Sequence, residues 1–168
     1  VHADPFFIWL ESTALSTWIR EGDSLLAFPG ILTLHTLAMG FIAGTSLVIA
    51  LRLLGYAPEI PIRAMHRFFP ILWVAFWINA ATGVLLLIAY PTKQLTNVFF
   101  YVKLAIIGAA VALIPPLRRI VAAGGAPATA PDARQTRRLA ITSVVLWTAA
   151  ITVGRLLEYT YHRLLAIE

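Results

Sequence analysis

The stretch RFFPILWVAFWINAATGVLLLIAYP, residues 67–91, decides the fold class. Its apolar run begins at Arg67, ends at Tyr90 and is stopped by Pro91. At ~1.5 Å per residue a helix of this length crosses a ~30 Å hydrocarbon core. A strand would show a shorter, alternating segment instead. Three more runs have the same character. Ser24–Leu54 is closed by Gly55, the next follows the capping pair Thr96-Asn97 and runs to Pro115-Pro116, and the last covers Leu139–Tyr161. The chain therefore reads as an all-α integral membrane protein. Residues 24–168 form a four-transmembrane-helix bundle with spans at about 24–54, 67–90, 98–114 and 139–161.

Composition points the same way. Of 168 residues, 60% are hydrophobic and 12% charged, and the mean hydropathy is +0.81. Soluble domains carry roughly 25% charged residues. A chain this small cannot bury so much apolar surface in one core, so the excess must face lipid. A free soluble enzyme and a disordered linker are thereby excluded. There is no cysteine, which excludes disulfides, thiolate metal sites and cysteine nucleophiles. Neither a Gly-rich phosphate loop, a His-Glu-x-x-His pair nor a serine nucleophile elbow is present, so the chain is not expected to be an enzyme on its own.

Residues 1–23 are too polar to span a bilayer. Asp4-Pro5 is a helix start, and the sequence after it is amphipathic. Thr13, Ser16, Thr17 and Arg20 fall on one side, and Phe7, Leu10, Ala14, Leu15, Trp18 and Ile19 on the other. The pattern predicts an interfacial helix with Trp9 and Trp18 at headgroup level, or a helix covering the ends of the bundle; the two readings are compatible. Residues 124–135, GGAPATAPDARQ, read as a loop. Pro29 and Pro70 are expected to kink the first two spanning helices. Gly40 and Gly44 match the small-residue pattern of close helix contact.

Lysine and arginine set the expected orientation. Arg52, Arg63, Arg67, Arg118, Arg119, Arg134, Arg137 and Arg138 fall on one side, against Arg20, Lys93 and Arg163 on the other. Eight against three predicts that both termini are extracytoplasmic in a multi-pass protein. The basic net charge of +5 is then a topology signal, and nucleic acid is not an expected partner.

Four stretches carry a resemblance: PFFIWLESTALSTWIRE at 5–21, FPGILTLHTLAMG at 28–40, RFFPILWVAFWINAATGVLLLIAYP at 67–91 and FYVKLAIIGAA at 100–110. They resemble an uncharacterised family of small bacterial four-helix membrane proteins, classed as a domain of unknown function. The resemblance covers roughly the first two thirds of the chain. It implies a four-helix fold in the bacterial inner membrane and carries no activity. There is a looser likeness to small four-helix membrane cytochromes, resting on helix count and helical histidines.

Ionisable groups within a bilayer are costly and mark functional sites by default. Counting ~1.5 Å per residue from the outer helix ends puts His35 and Asn79 both ~16 Å deep, Lys103 ~8 Å and Arg155 ~9 Å, with Glu158 one turn further out. The candidate cofactor-binding residues are therefore His35, Asn79, Lys103, Arg155 and Glu158, with His35 the candidate metal ligand. On the last helix Trp147, Ile151, Arg155, Tyr159 and His162 form one stripe with Glu158 beside it, and Arg155 is expected to pair with Glu158. The expected cofactors are haem b or a quinone. A bis-histidine haem is disfavoured, because His162 lies at the outer boundary and His66 at the opposite one. The simpler alternatives are an internal Arg155–Glu158 ion pair, a snorkelling Lys103, and a His35 bonded to a neighbouring carbonyl or threonine. The expected function is a small subunit of a larger, redox-associated membrane complex engaged in electron transfer. Its expected partners are lipid and protein subunits on the extracytoplasmic side. The alternative is an accessory or scaffold subunit without a cofactor.

Overall fold

The computed structural model describes residues 5–125 and 131–165, with the side chains of 5–125 and 133–157. The chain is all-α, and no strand occurs among the described residues. Two short helices, α1 (Pro5–Glu11) and α2 (Ala14–Glu21), precede the long α3 (Phe28–Leu53). A 3-10 turn at Ile62–Arg67 leads into α4 (Phe68–Ala89). Then come α5 (Pro91–Leu95), α6 (Val98–Ala112), α7 (Ile114–Ala123) and α8 (Pro131–Leu165). Four segments are long and apolar enough to cross a membrane: 28–53, 62–89, 98–123 and 133–157. The fold is thus the four-helix bundle of a multi-pass membrane protein.

Helix α3 is the centre of the bundle, packed against α4 on one side and α8 on the other, while α6 packs on α8. The buried positions of α4 are Phe69, Leu72, Ala75, Asn79, Thr82, Leu86 and Ala89, in steps of three and four. Those of α8 are Thr136, Ala140, Ser143, Trp147 and Ala150, again in steps of four and three. This spacing keeps one face turned toward its neighbours along the whole helix. Small residues dominate the α8 seam, which lets backbones approach closely. The opposite faces are apolar and exposed, as at Leu37, Phe41, Val74, Trp77 and Val145. Exposed apolar faces of this kind are what lipid covers.

Several expectations need correction. Pro29 and Pro70 lie in or beside the first turn of their helices, where a missing N–H costs nothing, so they open α3 and α4 rather than kink them. Helix α3 accordingly starts at Phe28, not Ser24. The third span does not stop at Pro115-Pro116. It pauses at Leu113 and resumes as α7, because both prolines again fall in a first turn. The 124–135 loop is shorter than expected, since α8 has already begun at Pro131. Gly40 and Gly44 are exposed and have no packed neighbour within 4 Å of a modest side chain, so they make no close helix contact within this chain.

Residues 1–23 were expected to give one helix. The described part forms two, broken at Ser12-Thr13. The Ser12 and Thr13 hydroxyls donate back to the Trp9 and Leu10 carbonyls, and Thr13 Oγ1 then accepts from Ser16 N–H as the N-cap of α2. The burial also differs from the amphipathic reading. Ser16 and Ile19 are fully buried, while Leu15 and Trp18 are exposed. A small serine lets α2 approach the end of α4, where its hydroxyl reaches the Ala89 carbonyl at 3.5 Å. Ile19 fills the gap between Ile31, Leu86 and Ala89. Glu11 accepts from Thr92 N–H at 3.4 Å, and Gln94 Nε2 donates to the Leu86 carbonyl at 3.1 Å. These bonds satisfy backbone groups that helix ends leave open. We refer to this as the capped end of the bundle.

Ile19→Ala is expected to destabilise the detergent-solubilised protein by about 2–5 kcal/mol, the usual cost of emptying a fully buried site. Leu15→Ala, on the exposed side of the same helix, should change stability by about 0.5 kcal/mol or less. Thermal unfolding followed by tryptophan fluorescence distinguishes the two.

Candidate functional site in the capped half of the bundle

Seven residues into α3, His35 meets α4 at a level set by its polar turn, Asn79 to Gly83. Because α3 begins at Phe28, His35 lies ~10 Å along its helix rather than ~16 Å, and Thr82 lies the same ~10 Å from the end of α4. His35 Nδ1 is 3.0 Å from the Asn79 backbone carbonyl and 3.0 Å from Thr82 Oγ1. Asn79 returns the contact: its Nδ2 donates to the His35 carbonyl at 2.8 Å. Thr82 donates its own hydrogen to the Ile78 carbonyl at 2.7 Å, which leaves its oxygen free to accept from His35. Asn79 and Thr82 are buried and His35 is half-buried.

Two groups face Nδ1 with opposite demands, the Asn79 carbonyl at 3.0 Å and the Asn79 amide nitrogen at 3.3 Å, and the shorter contact favours one tautomer. A carbonyl oxygen has no hydrogen to give, so a 3.0 Å approach of Nδ1 is attractive only if Nδ1 carries the proton. In the neutral ring Nε2 is then a bare lone pair. It has no hydrogen-bond partner among the described residues. Nor is it sealed in: the fully enclosed, unpartnered polar atoms among the described side chains are Arg20 Nε and Trp147 Nε1. A histidine whose second nitrogen is held by a backbone carbonyl is the usual arrangement of a metal-binding imidazole.

Two glycines make room for the site. A Cβ on Gly83 would come within 3.2 Å of His35 Cε1, so any other residue there would push the imidazole. Gly154 extends the small-residue seam of α8 by one more step of four. The Lys103 side chain of α6 lies over it, with Nζ 3.7 Å from where a Cβ would stand. Lys103 is half-buried, has no ion pair or hydrogen bond among the described residues, and is near enough for its charge to act on His35. Trp147, two turns further along the α8 seam, is buried with its indole N–H unpaired.

The structure thus brings together His35, Asn79 and Thr82, with Lys103 nearby. The bond to a carbonyl and a threonine, offered above as the simpler reading of His35, is present. It occupies Nδ1 and leaves Nε2 open. Along the stripe through Trp147, Ile151 and Arg155, Trp147 is buried while Ile151 and Arg155 are exposed. The α8 seam advances from Trp147 to Ala150 and Gly154, which turns Arg155 about 100° away from the interior. Arg155 therefore stands outside the cluster. The side chains of Glu158, Tyr159 and His162 lie outside the described residues, as does any Arg155–Glu158 pair. No group of three or more histidine, aspartate or glutamate side chains converges among the described residues, and His66 is at the other end of α4. The sequence reading missed Gly83 and Gly154. The one signal was their spacing, one turn after Asn79 and one step beyond Ala150.

The fold and the site together define a small polytopic helical membrane protein with a polar cluster between its first two spanning helices. No family model, curated protein or solved structure matches the chain.

The tautomer is directly observable. In protein labelled with nitrogen-15 histidine and reconstituted in lipid, the His35 signals, identified by their loss in His35→Ala, should show a protonated Nδ1 and a bare Nε2. The opposite pattern, or rapid exchange between the two, would remove the lone pair on which the site depends.

Proposed function

We propose that this chain is a small subunit of a larger redox-associated complex of the bacterial inner membrane, related to the four-helix family it resembles, and that it holds haem b or a quinone at His35. The observation that carries the reading is the Nδ1 hydrogen bond to the Asn79 carbonyl, which leaves Nε2 as an accessible lone pair inside a bilayer-spanning bundle. A bond to a carbonyl within the bundle satisfies one nitrogen; a functional histidine needs the other.

The residues fit either group. For haem, His35 Nε2 would hold the iron, and the described residues place no second histidine beside it. For a quinol, the same lone pair would accept a hydrogen bond from a hydroxyl, and the Lys103 ammonium would offer a donor. Either group supplies reversible electron transfer. The Asn79 carbonyl holds the ring's tautomer and Thr82 its orientation, while Gly83 leaves room for the ring. Lys103 supplies the positive charge that an anionic oxygen needs in a low-dielectric setting. Exposed Phe6, Ile8, Trp9 and Trp18 at the capped end supply an apolar surface for headgroups and for an extracytoplasmic partner subunit.

One observation favours the accessory-subunit reading instead. His35, Asn79 and Thr82 bond one another across α3 and α4. Such interhelical bonds contribute about 0.6 kcal/mol each on average, enough to act as glue without any ligand.

Purified protein distinguishes the two. The proposal expects a Soret band or about one extractable quinone per chain, lost in His35→Ala and retained in His66→Ala. A featureless spectrum with no extractable quinone would leave the scaffold.

Orientation is tested separately. The arginine imbalance supports both termini outside the cytoplasm, so a reporter active only in the cytoplasm and fused after Glu168 should be silent. A strong signal would invert the topology.

A further inference from the structure

At the end of the bundle opposite the cap, α7 lines an open cavity of about 430 Å³ together with Trp73 of α4 and His66 of the 3-10 turn. Its walls are of two kinds. Trp73 and Ile114 are apolar, and Ala122 is small. His66, Arg118 and Arg119 supply nitrogen donors, and both arginines are exposed with no ion pair or hydrogen bond among the described residues. Arg118 lies ~30 Å along the third span from Val98, which puts the guanidinium groups at the hydrocarbon boundary opposite the cap.

The cavity owes its shape to Pro115-Pro116. These residues bring no N–H to the carbonyls one turn back, so the third span pauses at Leu113 and restarts as α7. Restarting turns Ile114, Leu117 and Val121 into the core beside Met65, Phe69 and Leu72. It turns Arg118 and Arg119 outward, beside the 3-10 turn that carries His66.

We propose that this cavity binds the phosphate headgroup of an anionic phospholipid, with an acyl chain along Trp73 and Ile114. Guanidinium forks suit phosphate oxygens, and two without a counter-ion at the boundary are left to find one in the headgroup layer. Basic pockets between spanning helices are known to hold anionic headgroups. An inorganic phosphate would use the arginines but leave the apolar wall without a role. The site is at the far end of α4 from His35 and is independent of any cofactor there.

Native mass spectrometry of the full chain in detergent, titrated with phosphatidylglycerol and with phosphatidylcholine of the same acyl chains, tests this. The wild type should retain one phosphatidylglycerol in preference by about tenfold, the worth of roughly one charge-assisted hydrogen bond. Arg118→Gln/Arg119→Gln should abolish the preference. Arg134→Gln/Arg137→Gln removes the same charge from α8 and should keep it. Ala122→Trp keeps every charge but fills the cavity, and should lose the lipid. Equal retention of the two lipids, or equal loss in the two arginine double variants, would overturn the proposal. So would displacement of the lipid by equimolar inorganic phosphate, which would make the cavity a phosphate site without lipid.

Discussion

A polar group surrounded by hydrocarbon has no water to turn to, so it must find its hydrogen bond inside the protein. In this chain that requirement ties α3 to α4. Asn79 and Thr82 are buried between them, and His35 completes their bonding from the facing helix. Cross-bonding fixes the relative height and rotation of the two helices more sharply than apolar packing can, because apolar contacts are nearly indifferent to sliding. Once α3 and α4 are registered, α8 can lay its seam of Thr136, Ala140, Ser143, Trp147 and Ala150 against α3, and α6 against α8. Stability still comes mainly from that close packing, since each bond across helices contributes less than 1 kcal/mol on average.

The two ends of the bundle meet the same requirement by different means. At the capped end, side chains of short helices reach helix termini: Ser16 to Ala89, Glu11 to Thr92, Gln94 to Leu86. At the opposite end arginines do this. Arg52 donates to the carbonyls of Pro58 and Ile60, folding the connection after α3 back on itself. Arg63 lies against Gly124, whose φ of +88° ends α7 in the left-handed conformation that glycine adopts without strain. The arginines that bias topology are therefore also the groups that close this end. One end is apolar and aromatic on its outside, the other basic, and the two proposed sites follow that division.

The histidine cluster also shows why a satisfied residue need not be an inert one. An imidazole has two nitrogens, and a bond to one defines the state of the other. The Asn79 carbonyl both anchors His35 in the interface and leaves Nε2 as an acceptor. Lys103 is the complementary case: a cation carried into the membrane-spanning region on α6, over the bare backbone of Gly154. Its stem can lie along α8 because no side chain stands there.

Hydrophobicity along the sequence was enough to determine the class of fold, since runs of this length and composition have only the spanning helix open to them. The pairing of His35 with Asn79 was also legible, because two polar residues at similar depth on adjacent helices share the same need for a partner. Helix ends were less so. Pro29, Pro70 and Pro115-Pro116 read as kinks or stops along the chain, whereas each is a start, and only the three-dimensional path shows whether a proline's missing N–H falls in a first turn. The rotation of α8 was decided by tertiary packing alone. Helical spacing grouped Arg155 with Trp147, but close approach to α3 and α6 selected the small residues Ala140, Ser143, Ala150 and Gly154, and that choice turned Arg155 outward. The free nitrogen of His35 was equally invisible in the sequence, because a tautomer is set by a 3.0 Å contact with a backbone atom, and every residue has a backbone carbonyl.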